Sequence, residues 1–174
     1  VPGVQYIAGI DPIPITTRKE SDDTSLYAIA IFRMDIRRFV GYYMERSRDV
    51  SRLVGTSVKL QRYFNDAPAM MERNRADAII MEYDRLKLGL GKLLAPEPAD
   101  WRPSGAKSIE VGYFKSIHNM DTIDNFLLEW ARWYDEGRQI GGIEGIQDLT
   151  LLDHVMNHGN GNKDLGDAVK GALI

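Results

Sequence analysis

The residues best placed to do chemistry are acids at the ends of apolar runs. Asp11 closes the first run and Glu72 closes another, while Asp164 opens a helix-like segment directly after a Gly/Asn turn at 157–162. In open α/β sheets, sites gather at the carboxyl ends of strands. Carboxylates without Cys or His beside them suit hard, oxygen-seeking cations. Taken singly, each acid also has a plainer reading. Asp11 can close a turn with Pro12, Glu72 can sit on the surface, and Asp164 can cap its helix. His154 and His158 stand four apart beside Asp153, a spacing that can bind zinc. The Val155-Met156-Asn157 between them lacks the Glu of a metalloprotease helix. Gly89-Leu90-Gly91-Lys92 contains a Gly-Lys but is not a P-loop.

The elements that must position these acids read as one α/β domain. Apolar runs at 5–10, 25–32 and 39–43 predict three strands in an antiparallel meander, with 34–38 as a hairpin turn. Pro12 and Pro14 end the first strand, so 13–23 is a polar excursion. The middle changes period. A helix is expected over 50–64 and a short strand over 68–71. A second helix over 74–89 is capped by Asn74 and carries Ala76, Ile79, Ile80, Tyr83 and Leu86 on one stripe. A final short strand is expected at 92–95. Beyond a Pro-rich loop at 98–107 come helices at 122–134, 147–158 and 164–173, with 137–145 as a flexible loop. Ile123, Phe126, Leu127, Trp130 and Tyr134 form the stripe of the first of these. The expected fold is a central mixed sheet, a three-strand antiparallel meander plus parallel strands reached by helical crossovers, flanked by helices. Ile79, Ile80, Phe126 and Trp130 should pack on that sheet.

Composition narrows the function classes. The chain has 174 residues, 44% hydrophobic and 27% charged, enough for one domain with a proper core. No apolar run approaches the roughly 20 residues that cross a bilayer, so no membrane partner is expected. Without Cys there are no disulfides or thiolate metal sites. The absence of an initiator Met suggests a piece of a longer protein. The formal net charge is -3, yet residues 33–62 hold eight Arg/Lys against three acids. Such a stretch reads either as a polyanion contact surface or as a solvated hairpin and helix face.

The acids also fall in motifs. Gly9-Ile10-Asp11-Pro12, then Ala69-Met70-Met71-Glu72-Arg73-Asn74, then Asn162-Lys163-Asp164-Leu165-Gly166-Asp167-Ala168, together resemble the nuclease domain of tailed-phage large terminases. These are the DNA-packaging motors, and their nuclease domain belongs to the RNase H-like superfamily. The resemblance spans essentially the whole chain. It implies an RNase H-like domain over 1–174, the C-terminal part of a protein whose ATPase domain lies upstream. It implies a metal-dependent endonuclease cutting double-stranded DNA with little sequence specificity during genome packaging. Two divalent cations, Mg²⁺ or Mn²⁺, would lie about 3.5 to 4 Å apart. Asp11 would bridge them, with Glu72 and Asp164 completing the shells. Asp23 sits where the family often carries an auxiliary acid. The third motif departs from the family's double acid, since Lys163 stands in the first place, and Asp167 is the fallback for Asp164. Arg46, Arg48 and Arg52 become candidate DNA-backbone contacts. The implied partners are DNA, the ATPase domain, a portal and a small terminase subunit, in the cytoplasm of an infected bacterial host. Two other readings share these residues: a junction-resolvase or integrase type of RNase H-like nuclease, and a non-catalytic DNA-binding or scaffold domain.

Overall fold

A computed structural model describes residues 3–13, 26–102, 109–116, 119–157 and 164–174. Its centre is a four-stranded sheet of β1 (Tyr6–Asp11), β2 (Tyr27–Arg33), β3 (Arg38–Glu45) and β4 (Ala69–Met71), in the order β3-β2-β1-β4. The first three strands are antiparallel neighbours, and β4 lies parallel to β1. A parallel neighbour needs a crossover, which α1 (Val50–Tyr63) supplies between β3 and β4. After β4 comes α2 (Asp77–Arg85), followed by α3 (Met120–Arg132), the short strands β5 (Tyr134–Asp135) and β6 (Ile140–Gly141), α4 (Leu149–Met156) and α5 (Asp164–Leu173).

Strand alternation divides the interior in two. Tyr27, Ile29 and Ile31 of β2 point to one face, with Leu53, Val54 and Val58 of α1 and Ile79 and Tyr83 of α2. Ala28, Ala30 and Phe32 point to the other, with Trp130, Leu151, Val155, Leu165, Ala168, Val169 and Ala172 from α3, α4 and α5. With both faces covered, β2 is an almost continuous apolar run. The polar groups under α1 are satisfied in place. Gln61 donates to the carbonyls of Ala67 and Leu93 at 2.9 and 2.8 Å and accepts from the Tyr83 hydroxyl at 2.7 Å. Ile79 and Trp130 are fully buried as expected, each contributing about 1.5–3 kcal/mol before entropy. Ile80 and Phe126 are half-buried.

Helix α5 lies unusually close to β1. A Cβ at Gly9 would overlap the Ala168 carbonyl oxygen and the Ala172 nitrogen, and Gly171 faces Gly9 from the helix side. Small residues at the crossing let the two backbones touch, which brings the first turn of α5 to the end of β1.

Local expectations fail where distant parts of the chain intervene. Helix α2 begins at Asp77, after a 3₁₀ turn at Arg73–Arg75, and its N-cap is Ala76. Asn74 does not cap it. Its side chain accepts from the Lys115 N–H and donates to the Lys115 carbonyl, both at 2.8 Å. Residues 92–95 form no strand. Leu94 makes an isolated parallel bridge to Ala69, and Tyr113 makes another to Glu72. Gly112 holds φ +64 beside the Met71 carbonyl, where a Cβ would not fit. The outer edge of β4 is thus covered by two irregular segments. Residues 137–145 are not an open loop: they contain β6, paired with β5, and a 3₁₀ turn at Ile143–Gly145. Tyr134 leaves the α3 stripe for β5 and is exposed. Helix α4 starts at Leu149, capped by Asp148, which accepts from Leu151 N–H at 2.9 Å.

Candidate active site

Parallel pairing puts the ends of β1 and β4 side by side. Ile10 is in register with Met71, and Glu72 N–H donates to the Ile10 carbonyl at 3.2 Å. Asp11 and Glu72 therefore leave the sheet together at its carboxyl edge, where open α/β sheets build sites. The close approach at Gly9 delivers Asp164, the first residue of α5, to the same edge. Asp164 accepts a hydrogen bond from Leu26 N–H at 2.7 Å, fastening α5 to the start of β2. Asp167 follows one turn later. Asp11, Glu72, Asp164 and Asp167 line one cavity of 230 Å³, with Pro12, Arg75 and Lys115. Asp23 lies outside the described residues.

The electrostatics follow from crowding. Burial raises the Asp11 pKa well above the ordinary carboxylate range, and the charges of Asp167, Glu72 and Asp164 add to it. Burial also raises Glu72, which Lys115 opposes. Asp164 is raised by burial against the pull of the Leu26 hydrogen bond. Like charges drawn from water repel, so a cation is the natural complement.

Lys115 supplies part of that complement, and the linear sequence did not mark it. Its Nζ lies 3.1 Å from Asp167 and 3.4 Å from Glu72. Burial works against its charge, but the two carboxylates outweigh that and raise its pKa. The signal was slight: Val111 and Tyr113 are buried and Phe114 exposed, within a stretch without clear period. Asn74 and Gly112 fix the path of this segment.

As a donor set, four carboxylates without sulfur or imidazole suit a hard divalent ion bound through oxygen. Among the described residues, no group of three or more His, Asp or Glu stands arranged to hold a metal ion as it is. The acids ring the cavity, with the Lys115 ammonium between two of them. The zinc pattern gains no support: His158 lies outside the described residues, and Asp153 accepts from Asn157 Nδ2 at 2.7 Å.

The sheet register also locates the basic candidates. Asp11 pairs with Ala28, Ala28 with Met44 and Tyr27 with Glu45. The turn after β3, with Arg46 and Arg48, therefore leaves the sheet at the same edge as Asp11. Both arginines are exposed. Arg52, on the first turn of α1, pairs with Glu45 at 2.8 Å. None of the three lines the cavity.

A β3-β2-β1-β4 sheet with antiparallel and parallel pairs, helices on both faces and acids at the ends of β1, β4 and the start of α5 is an RNase H-like fold. More narrowly, it is the fold of large terminase nuclease domains. The large terminase nuclease of thermophilic phage G20c superposes with a TM-score of 0.66 at 16% identity, covering 99% of this chain and 82% of that one. The same nuclease solved with bound magnesium gives 0.66 at 17%, with the same coverage. The human cytomegalovirus terminase nuclease domain gives 0.52 at 14%, covering 97% and 81%. No protein-family model and no curated protein matches the sequence. Among the described residues, no helix is long and apolar enough to cross a membrane.

Proposed function

We propose that this chain is the endonuclease domain of a viral DNA-packaging large terminase, cutting double-stranded DNA with little sequence specificity by metal-dependent phosphodiester hydrolysis. The observation that carries this reading is the cavity shared by Asp11, Glu72, Asp164 and Asp167, acids from three elements distant in sequence. The likeness to terminase nucleases, one of them solved with magnesium, supports it. Asp11, Glu72 and Asp164 would hold two divalent cations, Mg²⁺ or Mn²⁺, with Asp23 or Asp167 assisting. When bound, these ions supply the Lewis acidity that phosphodiester hydrolysis needs. The protein's own part is to gather the carboxylates at one edge of the sheet. Lys115 pairs with Glu72 and Asp167, and Leu26 N–H orients Asp164. Arg46, Arg48 and Arg52 would track the DNA backbone, a contact that carries no sequence information. In the full-length protein an ATPase domain, a portal and a small terminase subunit would be partners, in the cytoplasm of an infected bacterium.

The test is a plasmid-nicking assay with Mn²⁺, Mg²⁺ or EDTA, with a linear duplex and a four-way junction as further substrates. Cleavage of plasmid and linear duplex with either ion, and none in EDTA, is expected. Cleavage confined to the junction would favour a resolvase. DNA binding without cleavage in any metal would favour a scaffold. Glu72→Gln and Asp164→Asn should each lose most activity. An active Asp164→Asn beside a dead Asp167→Asn would move the third ligand by one helical turn.

A further inference from the structure

The cavity has two cations on its wall, and they are differently employed. Lys115 is spent on Glu72 and Asp167. Arg75 ends the 3₁₀ turn that follows Glu72, lines the same cavity and is exposed. Its companion on that turn, Arg73, is turned away into the scaffold. It pairs with Glu110, reaches Glu97 at 3.9 Å and lies over the Phe114 ring at 6.0 Å. Buried Ala76 anchors the next residue, so the turn holds Arg75 at the cavity rim. Among the described residues Arg75 has no hydrogen-bond or ion-pair partner. Its charge nonetheless reaches Glu72, whose pKa it lowers against the upward pull of burial.

A guanidinium beside four carboxylates that pairs with none of them keeps its donors for something else. Its planar fork matches two oxygens of one phosphate, which a lysine meets only as a point charge. We infer that Arg75 is a substrate-positioning residue that grips a backbone phosphate of the strand being cut, at the rim of the acidic cavity. The inference rests on the nuclease reading above. It adds a second basic bank to the site. Arg46 and Arg48 leave the sheet beside β3, whereas Arg75 lies beside β4 at the opposite side of the same edge. The duplex then crosses the carboxyl edge from β3 to β4, with the acids beneath it.

Two readouts test this. Duplex binding is measured by fluorescence anisotropy in EDTA across a salt series, and cleavage kinetics are measured with Mn²⁺. Arg75→Ala should make the slope of log K against log salt shallower by about 0.9, the value of one phosphate contact. It should lower kcat/KM for cleavage by roughly 10- to 100-fold, as loss of a charged hydrogen bond does. Its affinity for Mn²⁺ alone, read by calorimetry, should not fall, since removing a positive charge beside the carboxylates takes nothing from a cation. Arg75→Lys should restore the salt slope but only part of kcat/KM, because it keeps the charge and loses the fork. An unchanged slope together with wild-type kcat/KM in Arg75→Ala would overturn the inference. So would a loss of Mn²⁺ affinity with DNA binding intact. If the wild type binds DNA but never cuts, the nuclease reading fails, and the salt slope in EDTA still decides whether Arg75 touches phosphate.

Discussion

The crossing of α5 over β1 makes Gly9→Ala a sharp test of how the site is assembled. The added methyl would overlap the Ala168 carbonyl oxygen, the Ala172 nitrogen and the Gly171 carbonyl carbon. All three are backbone atoms, so no side chain can rotate aside and the helix itself must lift. Lifting it by about 1 Å forfeits a quarter to a half of each dispersion contact it makes. Leu165, Ala168, Val169 and Ala172 are all fully buried in that interface. Overpacking of a tight core costs about 1–3 kcal/mol, and a main-chain obstacle belongs at the upper end, about 3 kcal/mol. In a chain of 174 residues each kcal/mol shifts Tm by about 2–4 °C, so the expected fall is about 6–12 °C. Thermal unfolding followed by circular dichroism in EDTA reads this directly. Asp164 begins the displaced helix, so divalent-ion affinity should fall as well. A Tm within about 2 °C of wild type, less than 1 kcal/mol, would refute the close crossing.

Gly55 offers the opposite sign. It lies inside α1, and a Cβ there meets nothing within 4 Å, so Gly55→Ala should stabilise by about 0.5–1 kcal/mol in a urea titration. The pH dependence follows from the raised carboxyls. In EDTA the folded state binds protons at Asp11, Glu72 and Asp164 more readily than the unfolded chain does. Their stabilising contribution is complete below the unfolded values of about 4 and is lost as pH rises through the raised folded ones, so these groups should make Tm increase as pH falls from neutral. Asp11→Asn should flatten that rise, and a Tm that falls over the same range would contradict it. Charge reversal at Arg46 together with Arg48 should weaken duplex binding and its salt dependence without changing the fold, as read by anisotropy and circular dichroism.

What the sequence revealed depended on how local each determinant was. The meander, α1 and α5 are set by their own apolar patterning, and their boundaries agree with it to within a few residues. Asp11 and Glu72 were visible because each ends an apolar run, and Asp164 because it opens a helix-like pattern after a Gly/Asn-rich stretch. Asn74 misled because it has the form of an N-cap, yet its side chain is taken by a backbone 41 residues away. Lys115 and Arg75 went unmarked for a related reason. Their places depend on the positive φ of Gly112, the bridge from Glu72 to Tyr113 and the Asn74 clamp, none of which has a period to read. Residues 137–145 carry the glycines of a loop. The pairing of β5 with β6 and a 2.6 Å hydrogen bond from Gly142 N–H to the Trp133 carbonyl make them a folded corner.

The carboxylate cavity stands or falls most directly on Asp11. It lies between Glu72 and Asp164 at the end of β1, and its pKa is raised by burial and by the charges of Asp167, Glu72 and Asp164. Asp11→Asn keeps its shape and removes its charge, leaving the basic surface untouched. The decisive measurement is plasmid nicking by purified Asp11→Asn and wild-type protein side by side with Mn²⁺, with duplex affinity measured on the same preparations. The expected result is loss of nicking to background, with duplex binding within about twofold of wild type, because backbone contacts supply that affinity. Full Mn²⁺-dependent nicking by Asp11→Asn, in a preparation cleared of contaminating nucleases, would contradict the metal-dependent site proposed around it.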